Sequence, residues 1–401
     1  MNFQIVSDSS CDLGRERAER LGVTLVSYYV SLDGERYYRE EKDISARAFY
    51  QQMADHPGVF PHTSMPTVED YLDAFRPFAQ RGEAVLCICL NEPFSGSIQS
   101  ARNAREELLE EFPQAQVRVL DSRLATVLQG VLVLEAVHLR DRGLSLEAAA
   151  AILEETKKTG RIFFTTNDLE YLRHGGRIGR AAATAGALLR VKPLIGYEGD
   201  GLVSDGIAQG RKKSLTRVLD LFYRYLERNQ IDLTEHYLVT GYGLDQEEHQ
   251  DFARRLLDGL RERGLPAETL GGLQIGVTIG VHTGPTPIGV GILRRCVIVV
   301  DAQDEMLELV NPEIIWRSEE IQDGWEGCLS VPGKWGTVKR PMNVRVRAQD
   351  RNGAWFEAEG EAIVARCFCH ELDHLDGHIF SELTDRLYTQ KELDEMYEEE
   401  D

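Results

Sequence analysis

Ala84-Val85-Leu86-Cys87-Ile88-Cys89-Leu90, then a short turn closing on Ser95-Gly96-Ser97, then the run from Ile98 to Glu111, decide the fold of the larger part of this chain. The apolar run reads as a buried strand and the amphipathic stretch after it as a helix. The same rhythm repeats on both sides. Candidate strands lie at Gln4-Val6, Thr24-Val30, Val117-Leu120, Arg161-Phe164, Tyr237-Thr240 and Val277-Val281. Candidate helices lie at Glu69-Gln80, Arg123-Arg140, Leu146-Thr159, Arg177-Leu189, Lys212-Arg228 and Gln246-Arg263. Strands alternating with helices predict an α/β region over residues 1–293, in two lobes with a cleft between them. A new strand-helix series starts after Ala148-Gly160, so the lobe boundary is expected near 150–160.

Residues 294–401 read differently. Short strand-like runs at Cys296-Asp301, Glu308-Asn311, Val338-Arg340, Val344-Ala348 and Trp355-Glu359 surround a turn at Arg351-Asn352-Gly353. A single helix, about Ala362 to Leu375, follows. This is an α+β pattern with antiparallel character. From Glu392 to Asp401 the chain holds seven acids, a solvated end rather than a partner site. No repeat and no low-complexity linker separates the two regions.

Composition sets bounds on function. A chain of 401 residues exceeds one ordinary core. A net charge of −21 argues against general nucleic-acid binding. No stretch is long and apolar enough for a transmembrane span, and the start lacks the pattern of a signal peptide. Seven scattered cysteines suit a reduced, cytoplasmic protein better than a disulfide framework.

Two constellations carry chemistry. In the first, His370 and His374 stand four apart on the last helix and face the same way. Cys328, in the loop Glu326-Gly327-Cys328-Leu329-Ser330, can add a thiolate. Three protein ligands and one open position make a catalytic metal site. Glu371 is placed to take a proton from attacking water and pass it to a leaving amine. The plainer reading is a pair of core histidines, with Cys367 and Cys369 packing the helix and His378 at the surface. In the second, Asp8-Ser9-Ser10, Thr63-Ser64-Met65-Pro66, Ser95-Gly96-Ser97 and Asp121-Ser122 put hydroxyls and helix starts after strands. Such places seat an anion such as a carboxylate, or they are plain helix caps. Cys87 and Cys89 read as core. Arg211-Lys212-Lys213 opens a helix, as a solvated face or as a contact for phosphate or an acidic partner.

The first constellation resembles the peptide deformylase family. The Glu-Gly-Cys-Leu-Ser loop and the His370-Glu371-Leu372-Asp373-His374 helix carry the likeness. Val331-Pro332-Gly333, Val338-Lys339-Arg340-Pro341, Ala365-Arg366-Cys367 and Leu375-Asp376-Gly377 with Phe380 extend it. The resemblance implies removal of formyl from N-formylmethionyl nascent peptides. Cys328, His370 and His374 would hold a divalent metal, Fe2+ or, less actively, Zn2+. Glu371 would be the acid-base group, and the backbone N–H of Leu329 would help hold the oxyanion. The family's first motif ends in a glutamine that is the other oxyanion donor. Here Gly289 stands in its place, and the strands before it are missing, so the domain looks truncated.

The second constellation, over about residues 1–293, resembles the DegV family. Its matches run in order from Asp8-Ser9-Ser10 through Thr63-Ser64, Ser95-Gly96-Ser97, Asp121-Ser122, Gly175-Gly176-Arg177-Ile178, Lys192-Pro193 and Arg211-Lys212-Lys213 to His282-Thr283-Gly284-Pro285. The resemblance implies a long-chain fatty acid bound between two lobes and presented to a fatty acid kinase. Thr63, Ser64, Ser95, Gly96, Ser97 and His282 would face the carboxylate, and Arg177 would support the head group or the kinase contact. Three functions stay open: a fatty-acid carrier with a fused deformylase-like domain, a deformylase scaffolded by its neighbour, and a carrier whose metal site is idle.

Overall fold

The computed structural model describes residues 3–141, 144–167, 169–178, 191–199, 201–266, 268–294, 297–301, 306–328, 331–350, 354–375, 378–390 and 392–393. The chain divides into two compact units, Met1–Leu146 with Leu153–Arg294, and Glu147–Ile152 with Arg295–Asp401. No helix among the described residues is long and apolar enough to cross a membrane.

The first unit holds two larger sheets. One is four-stranded and parallel, in the order Val23–Val26, Gln4–Asp8, Val85–Cys89, Val117–Asp121. Every residue of Val85–Cys89 is buried, as a parallel strand covered on both faces must be. That is why the run shows no apolar-polar alternation. Helices Val68–Gln80 and Ser97–Glu111 close one face through Tyr71, Phe75, Ile98 and Leu108. Thr67 and Asp70 form a capping box at the start of the first of these helices.

The other sheet has six strands, in the order Leu202–Gln209, Val191–Tyr197, Arg161–Thr165, Ile288–Arg294, His236–Tyr242, Gly272–Gln274. All neighbours are antiparallel except the last pair. Helices Arg211–Asn229 and Gln246–Glu262 cover one face, with Phe222 and Phe252 in the core. Helix Thr126–Asp141 packs on Gln4–Asp8 of one sheet and on Ile288–Arg294 of the other. It is apolar almost all round because both sides are buried. A third, small sheet of Tyr38–Arg39, Tyr29–Ser31 and His62–Ser64 carries Thr63.

Several sequence expectations change. Val277-Val281 is not a strand but the helix Val277–Thr283. Its residues favour strands locally, yet the N–H of Thr278 donates to Glu40 at 2.8 Å, from 238 positions away. Thr24-Val30 breaks into Val23–Val26 and Tyr29–Ser31, because the Tyr28 N–H turns to Ser9 Oγ at 2.9 Å. Asp121 and Ser122 do not cap the following helix; they accept from Arg123 N–H at 2.9 Å and Leu124 N–H at 3.1 Å in the turn before it. The expected helix Arg177-Leu189 lies mostly outside the described residues, as does the turn at Arg351-Asn352-Gly353.

The second unit is antiparallel. Val297–Asp301, Met306–Arg317, Asn343–Gln349 and Trp355–Glu361 form one sheet in that order. Ile321–Cys328, Val331–Pro341 and Tyr388–Thr389 form another. Helix Ile363–Leu375 packs Phe368 and Leu372 on Val344 and Val346. The strand Ile321–Cys328 escapes a reading by pattern, since Asp, Gly, Glu and Gly interrupt it. Cys328 therefore ends a strand rather than sitting inside a loop.

The first unit buries three carboxyl groups where its elements converge. Asp8 accepts from Leu90 N–H at 3.0 Å, Gln129 Nε2 at 2.8 Å, Ser10 Oγ at 2.6 Å and Ser97 Oγ at 2.9 Å. Glu40 accepts from Ser9 Oγ at 2.7 Å and from Thr278 Oγ1 at 2.6 Å. Asp12 is bonded by Thr126 Oγ1, and its own pKa is raised by burial and by the charge of Glu40. Burial lifts Glu40 to about 7 against these hydrogen bonds. A carboxyl raised in the folded state favours folding below its unfolded pKa of 4.5 and loses that advantage as pH rises through 7. Glu40 should therefore cost the first unit roughly 3 kcal/mol between pH 4.5 and 7. Far-UV circular dichroism denaturation across that window should show the slope, and Glu40→Gln should reduce it; an unchanged slope in the variant would refute the assignment.

Candidate functional site

The metal-type site is built on two neighbouring strands and one helix. Glu326 and Cys328 are two apart on Ile321–Cys328 and share a face. Arg366, His370 and His374 follow at helical spacing on Ile363–Leu375, and Arg340 comes from Val331–Pro341. Cys328 Sγ lies 3.1 Å from His374 Nε2, which lies 3.1 Å from His370 Nε2. The three ligand atoms are all within 4.8 Å of one another, half-buried. A thiolate with two imidazoles suits zinc or ferrous iron.

Behind the ligands stands the buried carboxylate of Glu326, to which the motif alone assigns no role. Glu326 Oε1 accepts from Arg340 Nε and Arg366 Nη1, both at 2.9 Å. Oε2 accepts from Arg340 Nη2 at 3.0 Å and lies 3.0 Å from His370 Nδ1. Arg340 also pairs with Asp373. Two cations thus face two anions, and His370 is left with Nε2 toward Cys328 and His374. Such a carboxylate-histidine pair fixes the ring of a ligand. Burial opposes the charge on Glu326, but His370 and Arg340 hold its pKa down to about 2. Its bond lifts His370 to about 9. The signal that could have found it is Arg366, one turn before His370.

Glu371 is half-buried beside His370. Leu329, whose N–H was the expected oxyanion donor, lies outside the described residues. Cys369 is buried in the core, Cys367 packs against it, and His378 is exposed with Glu382 Oε2 at 3.1 Å.

Gly289 belongs to Ile288–Arg294, a strand inside the six-stranded sheet of the first unit, paired with Phe164 and Gly241. A Cβ there would meet Phe163 O and Phe164 Cβ at 2.5 Å. No amide side chain fits at this position as the strand is built.

The second site is a cavity of about 340 Å³ within the first unit, lined mainly by apolar groups. At its polar part stand Thr63, Ser64, Ser95, Gly96, Arg177 and His282. Thr63 Oγ1 lies 3.1 Å from His282 Nε2. Ser95 Oγ accepts from Tyr28 OH at 2.7 Å and from Ser97 N–H at 3.2 Å, at the start of helix Ser97–Glu111. Arg177 donates to Phe94 O at 3.1 Å and Gly175 O at 2.6 Å. Gly175 is tight against His282, since a Cβ there would sit 2.0 Å from Nδ1. That Nδ1 is buried with no hydrogen-bond partner among the described residues. Burial and the Arg177 charge lower His282 to about 4, so the ring is neutral near pH 7.

Ser97 stands apart from the lining residues. Its hydroxyl is buried between Asp8 Oδ2 at 2.9 Å and Tyr71 OH at 2.6 Å. Tyr28, which no motif singled out, lines the cavity instead. Arg211 is engaged by Glu248 at 2.7 Å and Thr286 O at 2.8 Å, and opens helix Arg211–Asn229.

Residues 2–295 match the family model described as "Uncharacterised protein, DegV family", and residues 287–390 match the model for polypeptide deformylase. The two matches overlap on the strand that carries Gly289. A DegV domain-containing protein of Clostridium perfringens is 30% identical over 284 residues, covering 70% of this chain and 94% of its own. A stearic-acid-binding protein from Eubacterium ventriosum is 40% identical, with a TM-score of 0.69, over 73% of this chain and 98% of that one. A DegV family protein from Thermus thermophilus, solved for its fatty-acid binding, is 31% identical with a TM-score of 0.64, over 73% of this chain and all of that one.

The Glu326 network makes a stability prediction. Removing a buried partner of two arginines should cost the second unit about 3 kcal/mol or more. The four tryptophans, Trp316, Trp325, Trp335 and Trp355, all lie in that unit. Tryptophan fluorescence in urea should show an earlier transition for Glu326→Ala, and an unmoved midpoint would count against the network.

Proposed function

The chain belongs to the DegV family, and from that premise we propose that it is a cytoplasmic carrier of long-chain fatty acids. The carrying observation is the apolar cavity closed at one part by hydroxyls, a helix start and the neutral ring of His282. The acyl chain lies among the apolar lining, where each buried methylene contributes about 0.8 kcal/mol. Its carboxylate takes hydrogen bonds from Thr63 and Ser95 and from the backbone at Ser95-Gly96, with His282 beside it and Arg177 supplying positive charge. Ser64 and Met65 line the cavity and are also exposed, so the head group is within reach of a soluble partner. That partner is a fatty acid kinase, to which the carboxylate is presented.

In the second unit Cys328, His370 and His374 would hold a divalent metal, with Fe2+ favoured over Zn2+. When bound, the metal supplies Lewis-acid polarisation of a formyl carbonyl. Glu326 orients His370, and Glu371 takes and returns the proton. The glutamine that would share the oxyanion has no counterpart at Gly289, and losing one such donor costs about 3 kcal/mol, or ~10²-fold in rate. Deformylation of N-formylmethionyl peptides is therefore a slow secondary activity.

Two measurements test this reading. Mass spectrometry of gently extracted protein should find about one long-chain fatty acid per chain, and the paired substitution Thr63→Val with His282→Ala should lower affinity at least tenfold. Protein free of any acid, before and after incubation with stearate, would sink the carrier reading. Anaerobically prepared protein should bind about one metal per chain, lost in Cys328→Ala, and should turn over formyl-Met-Ala-Ser slowly; rates no higher than in Glu371→Ala would remove the activity and leave the carrier.

A further inference from the structure

The cavity's floor has an unusual composition. Directly opposed residues on antiparallel strands share a face. Gly241 pairs with Gly289, and Val239 pairs with Gly291, two residues further along the same face. On the other side, Phe164 pairs with Gly289 and Ile162 with Gly291. One face of the sheet therefore carries three glycines in a cluster, flanked by Ile162 and Phe164. All five of these residues line the cavity. Glycine inside a strand weakens it and marks a close approach by another group.

What approaches differs among the three. A Cβ on Gly291 would sit 2.9 Å from Leu128, so that glycine lets helix Thr126–Asp141 settle on the sheet. A Cβ on Gly289 would meet Phe164 and the backbone of Phe163 at 2.5 Å. A Cβ on Gly241 would come no closer than 3.3 Å to Val127 and 3.4 Å to Ile275, both lining residues. Packing within the protein explains the first two glycines. At Gly241 the atoms that would have to give way belong to Val127 and Ile275, which themselves line the cavity, so a side chain there would be accommodated only by pushing them into it.

We propose that Gly241, backed by its cross-strand partner Gly289, sets the length of acyl chain this protein accepts. The inference rests on the carrier reading. The chain, anchored by its carboxylate, passes Val127 and Ile275 where they lie over Gly241, and a side chain at Gly241 pushes them across the way for the carbons beyond. Each methylene so excluded costs about fourfold in Kd, the equivalent of ~0.8 kcal/mol.

The test compares wild type, Gly241→Ala and Ile162→Phe for binding of stearate, myristate and decanoate by calorimetry, with thermal unfolding as a control for folding. Gly241→Ala should raise the Kd for stearate at least tenfold while changing that for decanoate less than threefold. Ile162→Phe, which fills the same floor from the strand on the far side of Ile288–Arg294, should shift the preference in the same direction and covers the case in which the alanine variant does not fold. Equal loss for all three acids, or no change for stearate, overturns the inference and leaves the carrier reading intact. Failure of wild type to bind any acid overturns both.

Discussion

The strand Ile288–Arg294 is the constraint on which the first unit depends. It pairs on both sides, with Arg161–Thr165 and His236–Tyr242, and joins two halves of a six-stranded sheet. Its residues from Ile288 to Leu293 are buried. One face supports the helix between the sheets, and its glycines form the floor of the cavity. The same stretch lies in the overlap of two family matches. Backbone groups already paired on both edges have nothing left to offer another sheet. The strand therefore serves the first unit, and Gly289 is a floor residue there rather than a failed oxyanion donor.

The second unit keeps its ligand geometry by local means. A hairpin and a single helix bring Glu326, Arg340, Arg366, Asp373 and the three ligands together. Charge balance, more than a large core, holds them. A buried carboxylate between two guanidinium groups needs its full set of hydrogen bonds to be tolerated, and Glu326 has them. The ligand set is thus held together by residues that lie between Glu326 and His374.

Legibility in the sequence followed the range of the interaction. Val85–Cys89 could be read as a buried strand because its environment is uniform along its length. His370 and His374 could be read as a pair because helix geometry fixes their relation. The helix Val277–Thr283 could not, since its start is held by Glu40 through a bond that spans 238 positions. The role of Glu326 was hidden for the same reason, with partners 14, 40 and 44 residues away. Ser97 was visible as a hydroxyl at a helix start, but Asp8 and Tyr71 decide where that hydroxyl points. Gly241 drew no attention because a single glycine in a strand names no neighbour.

The glycine cluster has a consequence for the life of the protein as well as for its selectivity. The cavity beside these glycines is volume withheld from the core, and a ligand that entered it would supply that volume. A ligand that bound only the folded state would stabilise the unit by mass action, and its loss would withdraw that stabilisation. A protein built this way would be most vulnerable to proteases when the cavity is empty, and its standing level in a cell would rise and fall with the supply of that ligand, with no separate sensor required.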